Sequence, residues 1–459
     1  MFRVFGRYVY AATLLLGIAE AVIVCAIIYA GAAIFSGNIV DLPPSLDLSA
    51  ALIATAVVLI MHSVGLYDQA VLANLRQSLI RLAFVIGPIF MLAVITTGIL
   101  AKNDVVPIYP YRWQWTIALT TLWFGSVLGS RLFFAHLHHK GKLARRVVLL
   151  GGAQFLGRVR ELVTLRADSI QIVAQFDRSQ FAAAHDYASP DSAFFRAVKE
   201  AKADLVVDQA LLSKASIAEL LRCRAAGIAV VEFTQLFERE TGRVDLRSIE
   251  PQALLFSQGL KQGLVFDFVK RSLDIVGAIL GLILFAPVMS AAALALALEG
   301  SGPILYRQER IGRHGETFMM LKFRSMRVDA EENGIPRWAC ERDPRITPVG
   351  RIIRKVRIDE FPQFLNVLKG DMSLVGPRPE RPYFVKELGA ELPFYRERHV
   401  VRPGITGWAQ VNFRYGASLE DAAQKHSYDL YYLKHRSALF DLMILMKTVR
   451  IVLFGEGAW

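Results

Sequence analysis

The sequence predicts a multidomain α and α/β membrane protein. A four-helix transmembrane bundle is expected over residues 1–140, a Rossmann-like α/β module over 141–236 and a short extended connector over 237–264. A mainly α catalytic domain over 265–459 follows, with a re-entrant membrane helix at about 268–299 and interfacial helices. Three observations predict this. Of 459 residues, 54% are hydrophobic and 20% charged, with a mean hydropathy of +0.36, too apolar for an ordinary soluble chain. Long apolar runs fill the first third, and strand–helix alternation follows them. Finally, residues 307–357 carry 13 Lys or Arg against 7 Asp or Glu and run straight into Asp359-Glu360.

The apolar runs lie at about 8–35, 49–67, 79–100 and 114–135, each long enough to cross a hydrocarbon core of roughly 30 Å. Arg3, Arg7, Arg76, Arg81, Lys140, Lys142, Arg145 and Arg146 mark one side; the alternate loops hold only Lys102 and Arg112. Basic residues stay cytoplasmic, so the N-terminus and everything after residue 136 are expected there. Trp113, Trp115, Tyr109 and Tyr111 are expected as the interfacial anchor on the far side. His136, His138 and His139 read as a helix end rather than a metal site. Three cysteines, Cys25, Cys223 and Cys340, show neither metal spacing nor a disulfide framework.

From Arg145 the pattern becomes βαβ. Val147 to Leu150 is a buried strand, Gly151-Gly152-Ala153 begins a turn, and residues 170–176 form a second strand ending at Asp177. Ala153 stands where a dinucleotide fingerprint needs its middle glycine, so a structural or regulatory module fits better than nucleotide binding.

Residues 272–298 carry one charge, Asp274, and by length would span. Crossing would move the basic segment beyond Arg307 to the outer face, against the charge rule. Pro287 divides the run into arms of roughly 22 and 18 Å at helical rise, each too short to cross. The expectation is a helix that enters, breaks at Ala286-Pro287 and returns, with Lys270, Arg271, Arg307 and Arg310 at anionic headgroups.

The net charge of +12 and the basic block favour anionic partners. Nucleic acid is disfavoured, because the basic stripes alternate with apolar helices rather than exposed aromatics. Lys322 and Arg324 alternate onto one face of a strand-like stretch, which suits a diphosphate but also describes a solvated edge. Arg354, Lys355 and Arg357 precede the acid pair, and Gln363 and Asn366 follow Pro362, which suggests a new helix beginning near the carboxylates. Pro377-Arg378-Pro379 is a stiff loop that holds its arginine with little freedom to lose.

Four motifs then coincide: Lys322 to Met326, Arg354 to Gln363, Leu374 to Glu380, and Val401 to Val411. Together they resemble the bacterial polyprenyl-phosphate hexose-1-phosphate transferases, the monotopic phosphoglycosyl transferase superfamily. The resemblance covers roughly 265–459, and the front half is similar to the long form that starts exopolysaccharide, capsule and O-antigen repeat units. It implies that Asp359 attacks the β-phosphate of a UDP-hexose, expels UMP and passes the sugar phosphate to undecaprenyl phosphate. It also implies Glu360, with Asp359, as ligand of Mg2+, with Mn2+ as the alternative ion. By carry-over Arg354 and Arg378 contact phosphate; Lys322, Arg324, Arg402 and Gln363 are further substrate candidates, and Trp408 is available to stack on uracil, though a lone tryptophan equally suits a core or an interfacial anchor. UDP-glucose, then UDP-galactose, is the family expectation for the donor. Phe361 and Ser325 stand where leucine and threonine are usual, with their character preserved.

The implied setting is the cytoplasmic face of a bacterial inner membrane, in contact with its lipids, with room for a homodimer and for downstream glycosyltransferases. A membrane-bound nucleotide-sugar oxidoreductase or epimerase is the alternative, weakened by the absence of any Tyr-x-x-x-Lys pair. A non-catalytic assembly scaffold would leave the acid and arginine constellation unexplained.

Overall fold

The computed structural model describes residues 2–4, 7–9, 11–36, 45–68, 71–72, 75–102, 112–139, 145–165, 170–176, 193–207, 214–249, 251–257, 259–260, 263–300, 302–327, 330, 343–413 and 418–454. Two compact units make up the chain, Tyr8–Glu240 with Met1–Phe2, and Thr241–Trp459 with Arg3–Arg7.

In the first unit, apolar helices cover Ala11–Ser36, Ser45–Ser63, Leu75–Lys102 and Arg112–His139. By length and composition Thr13–Ala32, Leu75–Ile95 and Thr116–Leu137 can cross a membrane; Leu264–Glu299, in the second unit, is the fourth such helix among the described residues. The helix expected over 49–67 stops at Ser63, and its apolar stretch Asp47–Ser63 is shorter than the others. Gly65 ends it in the left-handed region, at φ 75°. The Gly65 N–H returns to His62 O (2.9 Å) and the Leu66 N–H to Met61 O (3.0 Å), satisfying carbonyls that the helix end would leave bare.

Glu20 is buried in the first helix and accepts from the Tyr67 hydroxyl (2.6 Å) and the Ser130 hydroxyl (2.7 Å), with Arg131 at 3.1 Å. An ionisable side chain among apolar helices needs such partners. Tyr109, Tyr111 and Asp177 lie outside the described residues, as do the side chains of Trp113 and Trp115.

Among the described residues the α/β module contains four parallel strands in the order Ile170–Phe176, Arg145–Leu150, Asp204–Val207, Val230–Glu232. Alternate residues of the central strand feed two cores. Val147 and Leu149 pack with Phe155, Val159 and Leu236, while Val148 and Leu150 pack with Phe194, Val198 and Cys223. A Cβ on Gly151 would lie 2.1 Å from the Phe155 ring, so this glycine admits an aromatic side chain.

The second unit corrects two expectations. Residues 237–264 are not an extended connector: Phe233–Thr241 and Pro251–Leu255 are helical, and Val244 and Leu254 are buried in one core with Trp408, Tyr431 and Phe440. The Val244 N–H bonds to Ser427 O at 3.1 Å, a long-range partner that no local pattern announces. The helix Leu264–Glu299 also runs for 36 residues with Pro287 inside it, without the expected interruption at Ala286-Pro287. Proline deletes one donor, and in apolar surroundings the other backbone groups keep their helical partners. One side of this helix, including Ala278, Gly281, Ala292 and Leu296, is buried; Leu280, Ile283, Leu284, Leu294 and Leu298 are exposed.

Two small sheets among the described residues frame the site. Leu305–Ile311 and Thr317–Phe323 form an antiparallel ribbon with Tyr306 opposite Lys322. Ser373–Val375 pairs in parallel with Gly404–Thr406. A Cβ on Gly404 would meet Gly376 N at 2.1 Å, so glycine is what lets two distant motifs touch backbone to backbone.

Candidate active site

Three short elements converge on the acid pair. The helix Pro348–Lys355 begins at Thr347, whose hydroxyl accepts from the Gly350 N–H at 2.9 Å, with proline in the first turn. It ends near Arg357, a non-glycine residue at φ 57°, after which Ile358–Glu360 form a single 3-10 turn. That reversal turns the acids inward, and Asp359 and Glu360 are each only 8% exposed. Gln363–Lys369 then carries the chain away.

The ribbon supplies Lys322 and the loop after Val375 supplies Arg378. Arg378 Nη2 donates to Glu360 Oε1 at 2.6 Å, and Lys322 Nζ lies 3.8 Å from the same oxygen. Among the described residues no hydrogen bond holds either oxygen of Asp359. The two adjacent carboxylates therefore differ: one is tied to cations and the other is free.

Electrostatics divides them further. Burial, then the charge of Glu360, raises the Asp359 carboxyl above the usual range, despite Lys322 and Arg354. Burial would raise Glu360 as well, but Arg378, by charge and hydrogen bond, and Lys322 hold it below the usual range. Burial, then Arg378, lowers the Lys322 ammonium to about 8.

The loop that presents Arg378 is clamped through its carbonyls. Val375 O accepts from Lys270 Nζ (3.2 Å) and the Tyr432 hydroxyl (3.3 Å), and Pro377 O from the Gly404 N–H (2.9 Å). Arg378 O accepts from Arg398 Nη2 (3.0 Å), Pro379 O from Arg310 Nη1 (3.1 Å), and Glu380 O from the Ile311 N–H (2.9 Å). With two prolines lacking N–H groups, what the loop offers outward is the arginine side chain.

Not every candidate reaches this place. Arg354, in the last turn of its helix, acts on Asp359 through its charge. Gln363 is buried one turn beyond the acids, and its Nε2 has no partner among the described residues. Arg324 is corrected: its Nη2 donates to Leu296 O (3.0 Å) and Gly300 O (3.4 Å), capping the long helix. Arg402 likewise spends its Nε on Gly370 O at 3.0 Å, where Gln363–Lys369 ends. Trp408 is 1% exposed and donates to Gly242 O at 2.6 Å, so it is a core residue and not a stacking platform.

Sequence reasoning missed several supports. Asn366 fastens the ribbon by accepting from the Leu321 N–H (2.9 Å) and donating to Met319 O (2.9 Å). Asp274 Oδ1 accepts from the Ser373 hydroxyl (2.9 Å) and the Leu374 N–H (3.0 Å); its isolation in an apolar run was the available signal. Arg398 sits in an ordinary-looking charged stretch and gave none.

Comparison with known proteins decides the family. The profile described as bacterial sugar transferase matches residues 265–455. A UDP-glucose:undecaprenyl-phosphate glucose-1-phosphate transferase of Caulobacter vibrioides is 44% identical over 42% of this chain and 73% of its own length. This chain belongs to the bacterial sugar transferase family. A UDP-N-acetylgalactosamine-undecaprenyl-phosphate N-acetylgalactosaminephosphotransferase of Aeromonas hydrophila is 45% identical over 52% of this chain and 56% of that one. A UDP-glucose:undecaprenyl-phosphate glucose-1-phosphate transferase of Escherichia coli is 43% identical over 39% of each. The matched part thus spans little more than half of the first of these two bacterial sugar transferases and less than half of the second. The acid pair, Lys322 and Arg378 all fall inside the family match.

Proposed function

We propose that this protein transfers hexose 1-phosphate from a UDP-hexose to undecaprenyl phosphate, releasing UMP and beginning a membrane-assembled polysaccharide. The observation that carries this reading is the unequal acid pair: Glu360 bound by Arg378 and Lys322, beside an Asp359 with both oxygens free of hydrogen bonds among the described residues.

In the first step a carboxylate oxygen of Asp359 attacks the β-phosphorus, and the bond from that phosphorus to the bridging oxygen breaks. UMP leaves with the bonding pair. The acyl phosphate on Asp359 is then attacked by an oxygen of the lipid phosphate, and the phosphorus–Asp359 bond breaks to restore the carboxylate. Arg378, Arg354 and Lys322 hold phosphate oxygens in line, which is most of what phosphoryl transfer asks of a protein. The hard oxygen donors of Glu360 and Asp359, adjacent and buried, suit a divalent cation such as Mg2+ or Mn2+. Such an ion would neutralise charge on the diphosphate.

The donor is a UDP-hexose; the names of similar proteins include UDP-glucose, UDP-N-acetylgalactosamine and galactosyl transferases. The lipid acceptor fits a site beside a membrane helix that does not cross. Arg271 donates to Val367 O (2.6 Å) and Leu368 O (2.8 Å) at one end of Leu264–Glu299; at the other, Glu299 Oε1 accepts from the Val349 N–H at 2.7 Å. Both ends thus dock on the same compact unit, whereas a crossing would put roughly 30 Å of hydrocarbon between them. This supports both ends lying on one side of the membrane, with the helix continuous through Pro287 and the site at the inner leaflet.

Purified protein with Mg2+, undecaprenyl phosphate and a panel of UDP-glucose, UDP-galactose and UDP-N-acetylgalactosamine should release UMP with one or two donors. Asp359→Asn should abolish release while the protein stays folded. Silence with every donor, or full activity in Asp359→Asn, refutes the proposal. Labelling of cysteines placed near residues 310 and 360 from the periplasmic side alone would refute the topology.

A further inference from the structure

We infer that Arg398 and Asp429 form a buried positioning pair that fixes the reach of Arg378 toward the reacting phosphates. The inference rests on the transferase reading and adds two residues that touch neither the acid pair nor the substrate.

Arg398 donates from Nε (3.2 Å) and Nη2 (2.7 Å) to Asp429 Oδ2, from Nη1 to the Tyr395 hydroxyl (2.9 Å), and again from Nη2 to Arg378 O (3.0 Å). The two side chains are 5% and 2% exposed. A guanidinium held this way has one orientation, because its planar fork meets three partners that come from separate elements. Tyr395 belongs to the turn Tyr395–His399, Asp429 to the helix Leu419–His435, and Arg378 to the loop after Val375. The carbonyl it grips belongs to the very residue whose side chain reaches Glu360, so backbone and side chain of Arg378 are each pinned, one by Arg398 and one by Glu360.

Burial of so much charge has a further consequence. Taking an Arg–Asp pair out of water gains little net stability over apolar residues of the same size, because desolvation offsets the attraction. What it adds here is placement. The Pro377-Arg378-Pro379 segment is held on either side at Pro377 O and Pro379 O, and the charge-assisted bond from Arg398 fixes the peptide between them, the one that bears the arginine. Displacement of a catalytic group by about 1 Å can cost on the order of 10²-fold in rate.

The test is a double-mutant cycle of Arg398→Met with Arg378→Ala, in full-length protein in detergent, with UMP release followed against the accepted UDP-sugar. Alone, Arg398→Met should lower kcat on the order of 10²-fold while KM moves little. In the Arg378→Ala background the same change should cost less than about threefold, because the group it positions is gone. Arg398→Lys, which keeps a donor, should recover part of the loss. Equal losses in both backgrounds, or no loss in either, overturn the inference. Should Arg398→Met not fold, Asp429→Asn takes its place in the cycle; if neither folds, the pair is a structural strut and the inference fails. Hydrogen exchange across residues 376–381 gives a readout independent of turnover: it should speed up in Arg398→Met, and unchanged exchange counts against the clamp. A wild type that releases no UMP would sink the transferase reading, while the exchange result still judges the clamp.

Discussion

Asn366 stands in for a strand: its side-chain amide accepts from the Leu321 N–H and donates to Met319 O, both at 2.9 Å, so a helix is stitched to the edge of the ribbon one residue from Lys322. The helix that follows the acid pair and the strand that carries the lysine are therefore held in register by one side chain.

Replacing Asn366 by leucine should destabilise the second unit by about 2–4 kcal/mol, since two backbone groups lose their partners at once. Thermal or denaturant unfolding in detergent would measure this. Activity should fall more steeply than the folded fraction, because Lys322 loses its register; a variant as stable and active as wild type would contradict the role.

Glu360→Gln removes the charge that holds Arg378 and Lys322. Turnover should drop by at least roughly 10²-fold, the scale on which one oriented electrostatic contact acts. Steady-state kinetics of UMP release would check it. Near-normal kcat would place the cations under some other control.

Chelation should abolish UMP release and added Mg2+ should restore it, with Mn2+ able to substitute. Binding of Mn2+ to Glu360→Gln, followed by its paramagnetic signal, should be weaker than to wild type. Turnover indifferent to chelator would remove the divalent ion from the scheme.

Acid should weaken the second unit through two buried histidines. Burial, then Arg398, lowers His399 to about 4. Burial, with Arg398 and His399 adding to it against a bond to Pro393 O, lowers His426 to about 3. Both stay neutral when folded, whereas the unfolded chain takes up protons below about 6.5. The unfolded state thus binds more protons there, and the stability present above pH 6.5 is lost as pH falls toward 4. Melting midpoints between pH 7 and 4.5 should show this slope, and His426→Gln should flatten it. An unaltered slope in that variant would assign the acid sensitivity elsewhere.

Much of the candidate site's layout was legible in the sequence. Asp359, Glu360, Lys322 and Arg378 could be singled out because acids amid a basic block and an arginine between two prolines are locally unusual, and the structure brings these four together. The arginines at 324 and 402 were singled out for the same reason. They are basic and lie in the right motifs, yet each caps a helix end whose position depends on segments far away. The structural roles of Arg398, Asn366 and Trp408 were not legible, since the partners that define them, Arg378, Leu321 and Gly242, are 20 to 166 residues distant.

By itself, then, the sequence determined the apolar helices, the alternating βαβ pattern and the chemical character of the site, because hydropathy period, charge density and backbone stiffness are local properties of a chain. Tertiary structure decided which cations face the acids and which are spent on helix carbonyls. It decided that Trp408 is core, that residues after Thr241 pack into the second unit, and that Glu20 finds Arg131. Those outcomes turn on long-range hydrogen bonds and burial, and a group's charge becomes functional only once the fold has fixed what surrounds it.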